Sequence, residues 1–169
     1  MELPWVWGAR PDEVDAHYPC GDHVPGPARR MVRAVDVAAA PETVFRWLCQ
    51  LRVAPYSYDL VDNLGRRSPR TLTPGMDRLA TGQRFLHMFR ISGYVPDREI
   101  TAVADNRIFG PSAMTYRVLD VEPGRSRLVA RLDVSADNRA RRAVSVLIAW
   151  GDLVMMRRQL RTLARLAEA

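Results

Sequence analysis

The C-terminal residues 139–169 carry apolar side chains at helical spacing. The predicted buried stripe consists of Leu153, Met156, Leu160, Leu163 and Ala167, broadened by Val154, Met155 and Leu166. The arginines between 157 and 165 fall on the other side of the same helix. Gly151 interrupts the run and Asp152 is a candidate N-cap, so we expect either a kinked helix or two helical pieces that meet there.

Much of the chain upstream alternates between apolar and polar residues, which is typical of half-buried strands. We predict strands over residues 30–37, 84–91, 98–103, 107–109, 113–121 and 127–134. Met114, Tyr116 and Val118 share one face of their strand. In the last strand the shared face is formed by Leu128, Ala130, Leu132 and Val134. A turn at Glu122-Pro123-Gly124 joins these two strands.

Two short helices are predicted after the first strand. Pro41 suits the first helical position, where its missing N–H costs nothing, and Val44, Leu48 and Leu51 form a buried stripe. This helix ends before Pro55, because the residue preceding a proline is disfavoured in helical geometry. The second helix covers residues 58–64, with Ser57 as its cap. The order of strand, helices, strands and long helix indicates an α+β fold.

Residues 1–169 have the length of a single domain. Within it, residues 1–28 combine Trp5 and Trp7 with turn-forming residues, so we expect an irregular arm that wraps the domain. Residues 66–82 have turn chemistry throughout and are expected to form a long loop, a candidate lid. Residues 139–168 form the C-terminal helical segment.

The net charge is +6, and all 25 basic residues are arginines. Arginine suits phosphate recognition, so nucleic acid and an anionic membrane are candidate partners. The alternative explanation for the absence of lysine is a compositional bias toward arginine. The arginines are scattered without interleaved aromatic residues, so nucleic-acid binding is disfavoured. Cys20 and Cys49 lack metal-ligand spacing and are expected to be structural thiols, with no metal or cofactor. No basic leader or long apolar run is present, so we expect a cytoplasmic protein.

Several motifs resemble the START-like superfamily, also called SRPBCC, which includes polyketide cyclases/dehydrases, pollen-allergen-type binders and lipid carriers. They are VAAAPETVFRWL at 37–48, WGA at 7–9, PCGD at 19–22, YSYD at 56–59 running to DNLG at 62–65, and DLVMMRRQL at 152–160. Together they cover most of the chain. The resemblance implies the helix-grip (START/Bet v 1-like) fold, in which a curved antiparallel sheet of six to seven strands surrounds a long C-terminal helix.

A curved sheet cannot collapse completely onto one helix, so this fold implies a cavity filled by side chains or by a ligand. We expect a small hydrophobic ligand, such as a polyketide, a lipid or an aromatic metabolite. The candidate lining residues are Trp47, Tyr56, Tyr58, Asn63, Phe85, Phe89, Tyr94, Met114, Tyr116, Trp150 and Met155. For most of the aromatic and methionine side chains among them, core packing is the favoured interpretation.

The alternative is a polyketide cyclase/dehydratase-type enzyme that uses His87, Tyr58 and Asp62 as acid–base groups in the same cavity. Two of these residues also have a structural interpretation: His87 as a satisfied core histidine, and Asp62 as part of a solvated acidic face. Arg90 and Arg131 fall opposite the apolar sets of their strands and are expected to be exposed, or to be anion anchors if they face inward. The sequence leaves the oligomeric state open.

Overall fold

The computed structural model describes residues 3–58, 63, 65–106 and 110–169. Its elements are β1 (Val6–Trp7), α1 (Pro11–Asp15), a 3-10 turn (Pro19–His23), β2 (Ala28–Val37), α2 (Pro41–Cys49), a second 3-10 turn (Gln50–Arg52), β3 (Arg84–Phe85), β4 (Phe89–Val95), β5 (Glu99–Asn106), β6 (Gly110–Glu122), β7 (Arg125–Ser135) and α3 (Arg139–Ala167). The predicted strand 107–109 and most of the predicted helix 58–64 lie outside the described residues.

One seven-stranded sheet has the order β1-β2-β7-β6-β5-β4-β3. Its neighbours pair antiparallel, except that the two-residue strand β1 runs parallel to β2. The sheet is therefore mixed, because a short arm strand precedes the first predicted one. The β6–β7 hairpin turns at Gly124, whose φ of +75° suits glycine. With two short helical segments after β2 and a long C-terminal helix, the predicted α+β helix-grip architecture is confirmed.

The inner face of the sheet forms the main core with α2 and α3. The predicted inward faces of β6 and β7 are buried there, and so is the predicted stripe of α2. In α3, Leu153, Met156, Leu160 and Leu163 are buried as predicted. Val154 is 52% exposed, so its assignment to the stripe was wrong. One residue along a helix is a rotation of about 100°, which carries Val154 away from the sheet.

The predicted strand 84–91 is interrupted by a tight turn at residues 86–88. Leu86 and His87 adopt positive φ values of 46° and 58° there. Beyond the turn, Ile91 exchanges backbone hydrogen bonds with Gly82 and Gln83 at 2.7 and 2.9 Å. His87 therefore lies at a turn and is exposed, not in the middle of a strand. The alternation of apolar residues continues through the turn and conceals it.

The N-terminal arm covers the outer face of the sheet. Tyr18, Cys20 and Val24 pack with residues of β2, β6 and β7 in a second buried cluster. Arg127 of β7 binds both carboxylate oxygens of Glu13 from the arm, at 2.8 Å for Nη2 to Oε2, and donates to the carbonyl of Gly8 at 2.6 Å. The outer face is thus a second core.

This covering corrects the expectation for Arg131. The residue is only 5% exposed, because the arm lies over it. Its guanidinium makes two hydrogen bonds of 2.7 Å to the carboxylate of Asp133, a bidentate pair on the outer face of β7. Arg90 is exposed as predicted.

Helix α3 is continuous through Gly151. Its N-cap is Asn138, whose side-chain oxygen accepts from the backbone N–H of Arg141 at 2.9 Å. The assignment of Asp152 as an N-cap was therefore wrong. Asp152 lies mid-helix, and its Oδ2 is 3.0 Å from Nη2 of Arg33 on the inner face of β2. The pair joins the first long strand to the middle of the last helix.

The two members of this ion pair differ in the number of polar contacts that they make with the rest of the protein. Arg33 also donates to the carbonyl oxygens of Pro4, Trp5, Val32 and Ala149, at distances between 2.6 and 3.4 Å. Among the described residues, the Asp152 carboxylate has Arg33 as its one partner. Burial raises the pKa of Asp152 to about 6 even though Arg33 lowers it, and burial also lowers the pKa of Arg33. Desolvation therefore outweighs the attraction between the two charges.

We expect the two halves of the pair to respond differently to substitution. Arg33→Met leaves a buried carboxylate without a counter-charge and should lower the free energy of unfolding by about 3–5 kcal/mol at neutral pH. Asp152→Asn leaves Arg33 with its carbonyl acceptors and should cost less than about 1.5 kcal/mol. Urea denaturation measures both values. The double variant Arg33→Met/Asp152→Leu should recover most of the loss, and equal losses in the two single variants would contradict this asymmetry.

The raised pKa of Asp152 also predicts a pH dependence. Its pKa rises from 3.8 to about 6 on folding, so the folded protein holds this proton more tightly than the unfolded chain. The unfolding free energy contributed by this group therefore falls as pH rises from about 4 to about 6 and is constant above that window. Denaturation of wild type and Asp152→Asn across this range should show wild type losing stability relative to the variant. A difference that is independent of pH would exclude the shift.

Candidate functional site

An apolar pocket of about 460 Å³ lies between the inner face of the sheet and α3. Its wall is formed by Pro55, Ser57, Leu86, His87, Met88, Phe89, Ser112, Met114, Leu132, Val134, Ile148, Asp152, Met155, Met156 and Gln159. The volume is within the range of about 300–1,000 Å³ that is usual for small-molecule sites. The predicted cavity between sheet and C-terminal helix is therefore present in the structure.

The path of α3 across the sheet explains where the pocket opens. The helix packs most closely on β2 and also contacts α2. A twisted sheet curves away from a straight helix, so a gap opens on the flank of α3 that faces β4, β6 and β7. The turn at residues 86–88 and the segment around Pro55 close the sides of this gap.

Methionine is the most frequent residue type in the pocket wall. Four of the chain's seven methionines line it: Met88, Met114, Met155 and Met156. The unbranched thioether side chain adapts to irregular shapes and contacts aromatic rings favourably. The wall therefore suits an apolar ligand, particularly one with rings.

The polar groups of the pocket are few, and those inside are held in position. Gln159 accepts a hydrogen bond of 2.5 Å from the hydroxyl of Tyr116 and donates one of 2.6 Å to the carbonyl of Pro55. Burial raises the pKa of Tyr116 well above its ordinary value, so this hydroxyl stays protonated and remains a donor. The carboxylate of Asp152 lies on the same flank of α3 as Gln159, with Arg33 as its counter-ion.

The predicted ligand-binding residues fall into different parts of the structure. Phe89, Met114 and Met155 line the pocket, and the exposed His87 lies at its edge. Four others are buried in the main core and do not line this pocket: Trp47, Tyr56, Phe85 and Tyr116. Their rings pack edge to face in two pairs, Trp47 with Tyr56 and Phe85 with Tyr116, at centroid distances of 6.1 and 5.8 Å.

The remaining candidates lie away from the pocket. Tyr58 and Trp150 are 38% and 50% exposed and line a separate groove on the outer side of α3. Tyr94 is at the surface, where its hydroxyl donates to the carbonyl of Leu79 at 2.9 Å. Asn63 is buried and donates to the carbonyl of Arg66 at 2.6 Å.

The acid–base candidates His87 and Tyr58 line different cavities, and the third, Asp62, lies outside the described residues. The structure therefore does not bring His87 and Tyr58 to one point in the pocket.

Sequence reasoning missed Asp152 and Gln159 as pocket residues. Both lie on one flank of the buried stripe of α3, together with Met155 and Met156. The preceding Gly151 made Asp152 resemble a helix cap. A usable signal was Arg33, which shares the inward face of β2 with the apolar Met31, Val35 and Val37. A charged residue on an inward face implies a buried partner of opposite charge.

The loop at residues 66–82 contains neither helix nor strand. It is tied to the end of α2, where Gln50 exchanges hydrogen bonds of 3.3 and 2.9 Å with the backbone of Thr73. Leu72, Met76 and Leu79 pack against the main core. These contacts anchor the loop beside α2, and its role as a lid stays a prediction.

The described ranges contain no group of three His, Cys, Asp or Glu side chains that could hold a metal ion. Cys20 and Cys49 are buried and free. Burial raises their pKa values to about 11 and about 12, so both are protonated thiols near neutral pH. Over the same ranges, the chain has no helix with the length and hydrophobicity that a bilayer span requires.

Comparison with known proteins gives matches in structure alone, since no family model and no curated protein matches the sequence. Ara h 8.0201 has a TM-score of 0.54 and 7% identity over 83% of this chain and 98% of its own. Protein MLL2253 from Mesorhizobium loti has a TM-score of 0.51 and 16% identity, covering 82% and 96%. The di-domain aromatase/cyclase StfQ of the steffimycin biosynthetic pathway has a TM-score of 0.50 and 11% identity, covering 83% of this chain and 51% of its own.

At these identities the likeness is one of fold. The matched structures span most of this chain, and the strand order, the two short helical segments after β2 and the long α3 agree with the architecture expected from the sequence motifs. The chain therefore has the helix-grip fold.

Proposed function

We propose that this protein binds a small hydrophobic molecule in the pocket between the sheet and α3. The observation that carries the proposal is the pocket itself: about 460 Å³ of space with a wall that is mostly apolar. Burying the apolar surface that faces the cavity would contribute a favourable free energy of roughly 25 cal/mol per Å². A ligand that fills the cavity recovers this free energy, and this favours binding.

The pocket chemistry narrows the class of ligand. The adaptable methionine wall suits a flat or irregular apolar body, and the carboxylate of Asp152 can accept a hydrogen bond from a hydroxyl group. A polyketide, a lipid or an aromatic metabolite with one hydroxyl meets both requirements. StfQ, which shares the fold, is an aromatase/cyclase of a biosynthetic pathway, and this supports the polyketide class.

A second candidate function is a cyclase/dehydratase-type reaction in the same pocket. The observation that favours it is Asp152, a buried carboxyl group in the wall with its pKa raised to about 6 by burial. Such a group exchanges its proton near neutral pH and can act as a general acid or base. His87 at the edge of the pocket offers a second titratable group.

Filling the pocket should weaken ligand binding. Met155→Trp places an indole in the cavity and should weaken the affinity for the neutral fluorophore N-phenyl-1-naphthylamine by at least about tenfold, or about 1.4 kcal/mol. A neutral probe is chosen because the surface arginines would attract an anionic one. Native mass spectrometry of the same samples should show less copurified small molecule in the variant than in wild type.

Val121→Trp is the matched control, because Val121 is 49% exposed on the β6–β7 hairpin and does not line the pocket. It should bind the probe as wild type does. If Met155→Trp folds normally and binds the probe with unchanged affinity, the probe occupies another site and the proposal fails.

The two candidate functions are separated by the ligand that copurifies with each protein. A carrier should yield the same compound from wild type and from Asp152→Asn, by mass spectrometry of an organic extract. A dehydratase should yield a compound one water lighter from wild type than from the variant, because the variant cannot transfer the proton. Identical masses from both proteins would exclude dehydration that depends on Asp152.

A further inference from the structure

The outer side of α3 bears a row of exposed apolar side chains. Val146, Leu147, Trp150 and Val154 are 41%, 74%, 50% and 52% exposed. Leu147, Trp150 and Val154 are three or four residues apart and therefore share one face of the helix. Leu3 of the arm, which is 51% exposed, lines the same groove as Trp150 and Val154. Exposed side chains of this size at successive turns of one helix are unusual for a surface that faces only water.

The same face continues into four exposed arginines, Arg157, Arg158, Arg161 and Arg165. The spacing of three and four residues continues from Val154 to Arg165. From Leu147 to Arg165 the face extends about 27 Å at 1.5 Å per residue. We call it the outer face of α3: Leu147, Trp150, Val154 and these four arginines.

Among the residues that the structure describes, no carboxylate forms an ion pair with the four arginines of the outer face. In the part of the chain that the structure describes, the ion pairs involve other arginines. Two carboxylates line the adjacent groove of about 960 Å³, and neither forms an ion pair with these four arginines. Asp36 accepts from Arg127 at 2.9 Å, and Glu168 accepts from the backbone N–H of Ala38 at 2.9 Å.

Aromatic rings hold three of these arginines in place. The guanidinium carbons of Arg157 and Arg161 lie 5.4 and 5.3 Å from the ring centre of Trp7, and that of Arg158 lies 4.7 Å from the ring centre of Tyr58. A cation–π contact orients the guanidinium without cancelling its charge. The arginines are thus ordered and remain available to an anionic partner.

We propose that the outer face of α3 docks on an anionic phospholipid bilayer. The apolar row supplies side chains that enter the interface, with Trp150 suited to the headgroup level. The arginines supply attraction to anionic headgroups. Nucleic acid complements the arginines alone and would leave Leu147 and Val154 exposed to water, so the membrane accounts for more of the surface.

Docking in this orientation leaves the pocket accessible. The pocket is lined by Ile148, Asp152, Met155 and Gln159, which lie on the opposite flank of α3. The docking proposal therefore does not depend on ligand binding, and pocket-filling substitutions should leave it unaffected.

Vesicle flotation with purified full-length protein tests the proposal. The protein should float with vesicles containing about 30% phosphatidylglycerol in phosphatidylcholine, and at least about tenfold more weakly with pure phosphatidylcholine or in high salt. Leu147→Glu/Val154→Glu and Arg157→Gln/Arg161→Gln should each reduce binding to the anionic vesicles by at least about tenfold.

The matched controls are Val121→Glu and Arg84→Gln/Arg98→Gln, which change exposed residues of β6, of β3 and of the β4–β5 turn. They should bind within about twofold of wild type. Circular dichroism melting confirms that each variant folds. Arg157 and Arg161 contact Trp7, so their substitution can lower the melting temperature. In that case Arg165→Gln tests the charge instead, because the Arg165 side chain makes its hydrogen bond to the backbone of α3 and contacts neither Trp7 nor Tyr58.

Three results would overturn the proposal: no flotation of wild type, equal flotation with neutral vesicles, or equal losses in the control variants. Binding to a random-sequence DNA duplex that is lost in the arginine variant and unchanged in Leu147→Glu/Val154→Glu, without vesicle binding, would assign the surface to nucleic acid instead. The neutral-fluorophore titration is a separate readout, so failure of docking and failure of ligand binding are distinguishable.

Discussion

The ion pair between Arg33 and Asp152 is the constraint on which the interior depends. The guanidinium of Arg33, on β2, donates to the carbonyls of Pro4 and Trp5 from the arm and pairs with the carboxylate of Asp152 in the middle of α3. Three distant parts of the chain therefore converge on a single buried cation. The pair fixes one point of α3 over β2, and the apolar pocket lies along the other flank of the helix, which faces β4, β6 and β7.

Arginine serves opposite purposes on the inside and the outside of this protein. Arg33, Arg127 and Arg131 are buried, and each pairs with a carboxylate while donating further hydrogen bonds to backbone carbonyls. The planar guanidinium, with five N–H donors, suits such multiple contacts better than a lysine ammonium would. The arginines of the outer face of α3 have no such carboxylates among the described residues. The all-arginine composition therefore includes structural cations as well as a charged surface.

Much of the fold was predictable because it follows local periodicity. The buried stripes of α2 and α3 and the inward faces of β6 and β7 follow from spacings of three to four and of two residues. The turn at residues 86–88 was not predictable, since Leu86 and His87 adopt positive φ without a glycine or asparagine to mark it. The burial of Arg131 was missed because it depends on an arm more than a hundred residues away in the chain.

The pocket was harder to predict than the fold. Phe89, Met114 and Met155 line it, whereas Phe85 and Tyr116 fill the core. Aromatic residues and methionine occur in both environments, so residue type does not separate the two groups. Which of them faces open space depends on the exact path of α3 over the sheet. The contact of Arg33 with Asp152 fixes one point of that path, and local sequence patterns do not reveal a contact between residues so far apart in the chain.

The most direct test of the account uses methionine methyl groups as reporters. In protein labelled with ¹³C at the methionine methyls, addition of N-phenyl-1-naphthylamine should shift the NMR signals of Met88, Met114, Met155 and Met156, which line the pocket. Met31 and Met76, which lie elsewhere, should keep their shifts. Unchanged pocket methyls in the presence of bound probe, or equal shifts at Met31 and Met76, would contradict the claim that the space between sheet and α3 is the ligand site.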